Sequence, residues 1–187
     1  MILKYGNVIL RPIEKKDVEL LRYMINCPEI EAMTVSWNVP ISNHGQEKWV
    51  ENYQNTHETI RWMIELENGI TLGMVSLTDI DWITRNAHIS YKINGEERNR
   101  MKGDTKNAIY IVAKYAFDEM GLHRIEGEVL EYNIWSIKLL KSIGYVEEGV
   151  RRSRILKNGK WCNLVCLGLL DSEFQRYDDG TAPWQNR

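Results

Sequence analysis

The sequence predicts an α/β (α+β) domain built on a mixed, mostly antiparallel sheet of about seven strands with about four helices. Three observations carry this. Apolar residues recur at helical spacing in one long segment near the middle of the chain, they alternate with polar residues in three consecutive segments before it, and a strand, helix, strand pattern closed by an Asn-Gly turn follows. The length of 187 residues suits one domain with a sizeable core.

A short strand is expected at Val8 to Pro12. Lys15 to Ile25 places Val18, Leu21 and Ile25 on one face, an amphipathic helix that Asn26, Cys27 and Pro28 stop. A polar stretch with Pro40 runs to about Asn43, and Gln46 to Tyr53 predicts a second short helix carrying Trp49, Val50 and Tyr53. From Ile60 the period changes to two. Ile60, Trp62, Ile64 and Leu66 alternate with Arg61, Met63 and Glu65, and Asn68-Gly69 tolerates positive φ, so a hairpin leads into a second strand from Ile70 to about Ile80. After a polar turn at Thr84-Arg85-Asn86, the alternation of Ala87, Ile89, Tyr91 and Ile93 predicts a third strand.

Lys102 to Met120 sets Ala108, Val112, Ala116 and Met120 four residues apart, flanked by Ile109, Ala113 and Tyr115, and Gly121 stops this long helix. His123 to Leu130 is expected as a strand with Ile125, Gly127 and Val129 inward, and Ser136 to Ile143 as a helix ended by Gly144. Tyr145 to Leu156 and Lys160 to Leu170 form a last hairpin around Asn158-Gly159. Beyond Asp171 the periodicity is lost and Asp, Gly and Pro accumulate, so residues 1–171 read as the domain and 172–187 as an irregular tail after at most one helical turn.

Composition narrows the function. Lys plus Arg number 24 against 26 Asp plus Glu, a net charge of −2, so no general positive field collects nucleic acid or anionic membranes. Cys27, Cys162 and Cys166 cannot all pair, and the close two lack C-x-x-C spacing, so they read as reduced core thiols of a cytoplasmic protein. No stretch reaches the roughly 20 apolar residues of a bilayer span, and no export signal is visible. His44, His57 and His123 lack metal-ligand spacing, so no metal is expected. Seven Trp and nine Tyr against two Phe supply amphipathic rings that suit wet pockets as well as cores.

The segment Arg100-Met101-Lys102-Gly103-Asp104-Thr105 follows a strand and opens the long helix, so several unpaired backbone N–H groups converge there. Those donors and the positive end of the helix dipole favour an anion, with Arg98, Arg100, Lys102 and Lys106 adding charge, and a pyrophosphate is the natural guest. A solvated basic turn before an ordinary helix reads equally well from these residues alone.

The order of the whole chain resembles the GNAT superfamily of acetyl-CoA-dependent N-acetyltransferases, whose signature Arg/Gln-x-x-Gly-x-Gly/Ala is here Arg100-x-x-Gly103-x-Thr105. LRPIEKKDVELL near the N-terminus, KYAFDEMGLHRIEGEV after the central helix and the run from Asn133 to Tyr145 are similarly family-like, so the resemblance spans roughly residues 8–171. The Gly159-Lys160-Trp161 hairpin is similar to the branch of ribosomal-protein, spermidine and amino-sugar acetyltransferases, and ISNHGQEKWVENY loosely resembles enzymes acetylating nucleotide-linked sugars. The resemblance implies that the fourth and fifth strands, around Ala87 to Ile93 and His123 to Leu130, splay apart. Pantetheine would fill the gap beside Ile93, and the diphosphate would rest on the amides of Met101 to Thr105. Asn133 and Ser136 match positions that reach the cofactor, although capping the following helix needs the same residue types.

Departures from the pattern bear on the chemistry. Where many relatives carry a tyrosine that protonates the departing thiolate, this chain has Leu140, which has no proton to donate, and Tyr145, Tyr132 and Tyr91 are the candidate substitutes. His88 occupies the strand position where family members often carry glutamate, and imidazole titrates near working pH, so it is the candidate base that keeps the acceptor amine neutral. The catalytic candidates are therefore His88 and Tyr145. Asp79 and Asp81 are candidates for steering a cationic amine, and Trp37 and Trp49 for walling the acceptor pocket, with Trp62 in the core. No cysteine has an evident base, so direct attack on acetyl-CoA in a ternary complex is expected rather than a cysteine acyl-enzyme.

The expected acceptor is a small-molecule or peptide amine: a protein N-terminus, polyamine, amino sugar or aminoglycoside all present one. Family members often dimerise through sheet edges or helices. A rival reading is a non-catalytic acyl-CoA-binding sensor or interaction module, which Leu140 and the absent second signature glycine would allow.

Overall fold

The computed structural model describes residues 2–36, 39–94, 103–178, 181–182 and 184. Eight strands, β1 (Leu3–Tyr5), β2 (Val8–Arg11), β3 (Ile60–Leu66), β4 (Thr71–Asp81), β5 (Asn86–Ile93), β6 (Arg124–Leu130), β7 (Val146–Lys157) and β8 (Lys160–Leu170), form one sheet in the order β1-β2-β3-β4-β5-β6-β8-β7. Every neighbouring pair is antiparallel except β5 and β6, which the crossover through the long helix α4 (Asp104–Asp118) makes parallel. The mixed, mostly antiparallel sheet is therefore as expected. It has one strand more because β1, three residues long and joined to β2 by Gly6-Asn7, is too short to show a period.

The helices depart from the sequence reading at their starts. Pro28, read as a stop, is the first residue of α2 (Pro28–Ala32), where proline's missing N–H costs nothing. The segment expected as one helix from Lys15 is a 3-10 turn followed by α1 (Val18–Asn26). In α3 (Asn43–Asn52) the cap is the Ser42 hydroxyl, which accepts from the Gly45 N–H at 3.1 Å. Likewise α5 (Ile134–Lys141) starts two residues early because the Asn133 side chain accepts from the Ser136 N–H at 3.2 Å.

Helices α4 and α5 cover one face of the sheet, where Trp62, Ile64, Val75, Leu77 and Ala87 pack against Ile109, Val112, Ala116 and Leu140. On the opposite face α1 and α2 bring Leu21, Met24 and Ile30 onto Met63. Met63 alternates into the expected polar set yet is fully buried, since this sheet is covered from both sides. Cys27 is buried, as expected of a core thiol, whereas Cys162 and Cys166 are only half-buried. The chain leaves β8 through a single 3-10 turn, and Phe174, Tyr177 and Trp184 then pack around Tyr110 of α4. Among the described residues no helix is long and apolar enough to cross a membrane.

The feature that positions the site is the pairing of β5 with β6. It consists of Asn86 with Arg124, Ala87 with Ile125 and His88 with Glu126, and it ends there. Past His88, β5 stays with β4 as far as Ile93, while β6 stays with β8 as far as Leu130, so the sheet opens between them. Gly73 lets β4 hold β5 closely beside the opening: its φ is +155°, and a Cβ there would lie 2.1 Å from the Lys92 carbonyl oxygen.

Candidate active site

The opening leads into a cavity of about 650 Å³ whose lips are Ile89 to Lys92 of β5 and Gly127 to Val129 of β6. Asn133, Ser136 and Leu140 of α5 line one side. Leu140, at the position where a tyrosine was sought, is fully buried, with Cδ1 3.0 Å from where a Cβ on Gly127 would sit. A larger group at either position would compete with the other for this space.

The floor is the α1-side face of the sheet, and register orders it into rows. Thr78 pairs with His88, which pairs with Glu126; Arg61 pairs with Ser76, which pairs with Ser90; Met63 pairs with Met74, which pairs with Lys92. The hydroxyls of Ser76 and Ser90 lie 2.7 Å apart. His88 Nε2 lies 3.0 Å from a Glu126 carboxylate oxygen, and the other Glu126 oxygen accepts from Arg124 Nε at 2.7 Å. Arg124 also pairs with Glu148 of β7; the hydrogen bond holds the Glu148 carboxyl below its ordinary range, and both carboxylates keep Arg124 protonated. A chain of four charged or titratable groups therefore crosses three strands and ends at the cavity on His88. At the far side of the floor, burial pushes the Lys92 ammonium below the usual lysine range, with repulsion from Lys157 adding to this and Glu31 opposing it.

The wall opposite α5 is the segment Met33 to Ser36 that follows α2. Three side chains from distant parts of the chain hold it. Buried Lys157, at the end of β7, donates to the Glu31 carboxylate, to the Glu31 carbonyl at 3.1 Å and to the Ser36 carbonyl at 2.9 Å. Tyr132 donates to the Ala32 carbonyl at 2.5 Å, and the Asn133 side-chain amide donates to the Met33 carbonyl at 3.0 Å. Asn133 thus caps α5 and ties the wall at the same time. Replacing Lys157 by methionine is expected to lower Tm by a few degrees, because Glu31 and two carbonyls lose their donor. A thermal melt checks this.

Of the residues singled out in the sequence, His88, Asn133 and Ser136 line this cavity. Ile93 ends β5, packs against the core and is not among the lining residues. Gly103 caps α4 with φ +91°, and Asp104 and Thr105 are buried in the first turn. Arg100, Met101 and Lys102, like Trp37, lie outside the described residues. The indole of Trp184 packs beside Gly103, donates to the Asn107 side-chain oxygen at 2.8 Å and carries the Lys106 ammonium 3.8 Å from its ring centre.

Tyr145 is buried and not among the lining residues of the cavity. Its hydroxyl has no hydrogen-bond partner among the described residues, and burial, with the neighbouring Tyr91 adding to it, pushes the phenol far above its ordinary range. Tyr91 lines the cavity; Tyr132 is spent on the wall. Asp79 lines the cavity from the bulge of β4 with φ +51°, whereas Asp81 accepts from the Ile83 and Thr84 N–H groups in a turn. Trp62 is in the core, and Trp49 stacks on Tyr53 away from the cavity. Among the described residues no group of three or more His, Cys, Asp or Glu side chains is arranged to hold a metal ion.

The parting of β5 from β6 beyond His88 is the splayed strand pair that the family resemblance implies. The family model for the acetyltransferase (GNAT) domain matches residues 7–146, and the chain belongs to this family of N-acetyltransferases. It is 28% identical to the prophage-derived uncharacterized N-acetyltransferase YokL of Bacillus subtilis over 90% of this chain and 93% of that protein. The probable N-acetyltransferase YjcK of the same organism is 31% identical over 69% of this chain and 73% of its own. Among solved structures, the spermidine N-acetyltransferase of Vibrio cholerae in complex with CoA and spermine superposes with a TM-score of 0.81 at 23% identity, covering 89% of this chain and 97% of that one.

Proposed function

We propose that this enzyme moves the acetyl group of acetyl-CoA to a primary amine by direct attack in a ternary complex. The observation that carries the reading is the parting of β5 from β6 immediately beyond His88. The strand edges there hold amide and carbonyl groups that no longer serve each other, and an extended pantetheine arm matches that demand. Gly103, left-handed at the head of α4, is a position where backbone can approach a diphosphate closely; with Asp104 and Thr105 it would hold that end, and Asn133 and Ser136 would contact the arm. Arg100, Met101 and Lys102 belong to the same assignment by their order in the chain. Bound there, acetyl-CoA supplies an activated acetyl thioester.

The protein's own part is proton handling and orientation. An ammonium has no lone pair, so the acceptor must lose a proton before it attacks. His88 is the base in this reading. Glu126 accepts the proton on Nε2, which leaves Nδ1 as the basic nitrogen, and the carboxylate then stabilises the imidazolium formed. The ammonium gives one proton to His88, which passes it to solvent; the neutral amine nitrogen then bonds to the acetyl carbon, the carbon–sulfur bond breaks with its electron pair on sulfur, and His88 takes the second nitrogen-bound proton as the amide forms. Leu140 donates nothing, and Tyr145 is buried and not among the lining residues, so a free thiol forms with a proton from solvent; a thiolate with an ordinary pKa near 8.5 leaves readily enough.

The curated relatives support turnover rather than a silent CoA-binding module, since they are named as N-acetyltransferases. The test is CoA release from acetyl-CoA with a protein N-terminal peptide, spermidine, an amino sugar and an aminoglycoside. Release with at least one class is expected. Tight acetyl-CoA binding in a calorimeter without release from any of them would overturn the reading.

A further inference from the structure

The cavity floor is electrically polarised. At its His88 end lies Asp79, exposed on the β4 bulge next to Thr78, the cross-strand partner of His88. One row along from Thr78 and one strand over from Asp79 lies Arg61, paired with Ser76 and through it with Ser90. With neighbouring strands roughly 5 Å apart and alternate residues roughly 7 Å apart, the two charges share one cavity a short molecule's length from each other. They do not meet: among the described residues neither makes an ion pair. The other lining carboxylate, Glu128, is taken by Arg151.

Arg61 is held in place by neutral groups. Its guanidinium carbon sits 5.4 Å from the Tyr53 ring centre and its Nη1 3.5 Å from the Tyr53 hydroxyl. That hydroxyl donates to the Asn55 side-chain oxygen at 2.6 Å, the same oxygen that accepts from the Arg61 backbone N–H at 2.8 Å, and Trp49 of α3 stacks on Tyr53 at 4.7 Å. A half-buried arginine positioned by an aromatic ring, lining the cavity and with no ion pair among the described residues, is a site for an anion.

We infer that the acceptor is an amine that also carries a carboxylate or phosphate group, its amine directed to His88 and Asp79 and its anion to Arg61. This rests on the transfer reading above. A polyamine would set a second ammonium against Arg61, so the floor selects against that class by repulsion as well as for an anionic amine by attraction.

The test measures kcat/KM for CoA release with two matched sets: 5-aminopentanoate, pentylamine and cadaverine; and glucosamine 6-phosphate with glucosamine. Spermidine is run alongside. The anion-bearing member of at least one set is expected to lead its neutral counterpart at least about fivefold, the set concerned telling carboxylate from phosphate. In Arg61→Gln that ratio falls towards one, and Arg61→Lys recovers part of it; a ratio taken in one preparation does not depend on the fraction folded. Preference for the neutral or doubly cationic amines, or for spermidine, overturns the inference while acetyl transfer stands. An unchanged ratio in Arg61→Gln overturns it as well. No release with any amine removes the transfer reading and this inference together.

Discussion

Replacing His88 by alanine is expected to lower kcat/KM for amine acetylation about a hundredfold or more, the usual worth of a positioned general base. The imidazole lines the cavity at the point where β5 and β6 part, and its Nε2 lies 3.0 Å from a Glu126 carboxylate oxygen. Glu126→Gln keeps a hydrogen-bonding group but loses the charge that stabilises the imidazolium, and about a tenfold loss is expected. Binding of acetyl-CoA, measured by calorimetry, stays intact in both. A pH profile of His88→Ala that overlays the parent at full rate would remove His88 from the reaction.

The second large effect is expected at Gly103. Its φ of +91° belongs to a region that a β-branched residue does not occupy without strain, and its carbonyl accepts the Asn107 N–H at 2.9 Å in the first turn of α4. Valine there turns the peptide away and brings side-chain bulk beside Trp184, whose indole lies 3.7 Å from a Cβ at this position. Both changes act on the backbone donors that would face a diphosphate. Gly103→Val is therefore expected to raise the dissociation constant of acetyl-CoA at least about tenfold. The helix itself begins one residue later, so circular dichroism at the working temperature should show the fold retained. An unchanged calorimetric affinity would move the diphosphate elsewhere.

Much of the fold was legible because it is written in local patterns. The long run of α4, the alternation in β3 and β5, and the Asn158-Gly159 turn, whose residues have φ of 49° and 74°, each depend on residues a few positions apart. The elements that escaped were those whose local signal had two meanings or none. Pro28 stops one helix and starts the next, and β1 is too short for a period. Of the site, His88, Asn133 and Ser136 stand out from their place in a chain order that resembles a known family, and all three line one cavity.

Glu126, Lys157 and Arg61 carried no such mark. Each is an ordinary charged residue within a strand whose surroundings are remote in sequence: Glu126 lies against His88, Lys157 holds Glu31 and Ser36, and Arg61 makes no ion pair among the described residues. Tyr145 illustrates the converse. Its residue type suits an acid, but packing encloses its hydroxyl and keeps it out of the cavity lining.

The amino-acid order by itself determined which segments become strands and helices and which family this enzyme joins, because backbone conformation and burial periodicity are decided over a few residues. The tertiary structure alone decided where the sheet parts, which segment walls the cavity and which charges on its floor are paired among the described residues. Electrostatic pairing and cavity shape are sums over groups that only folding brings within reach of one another.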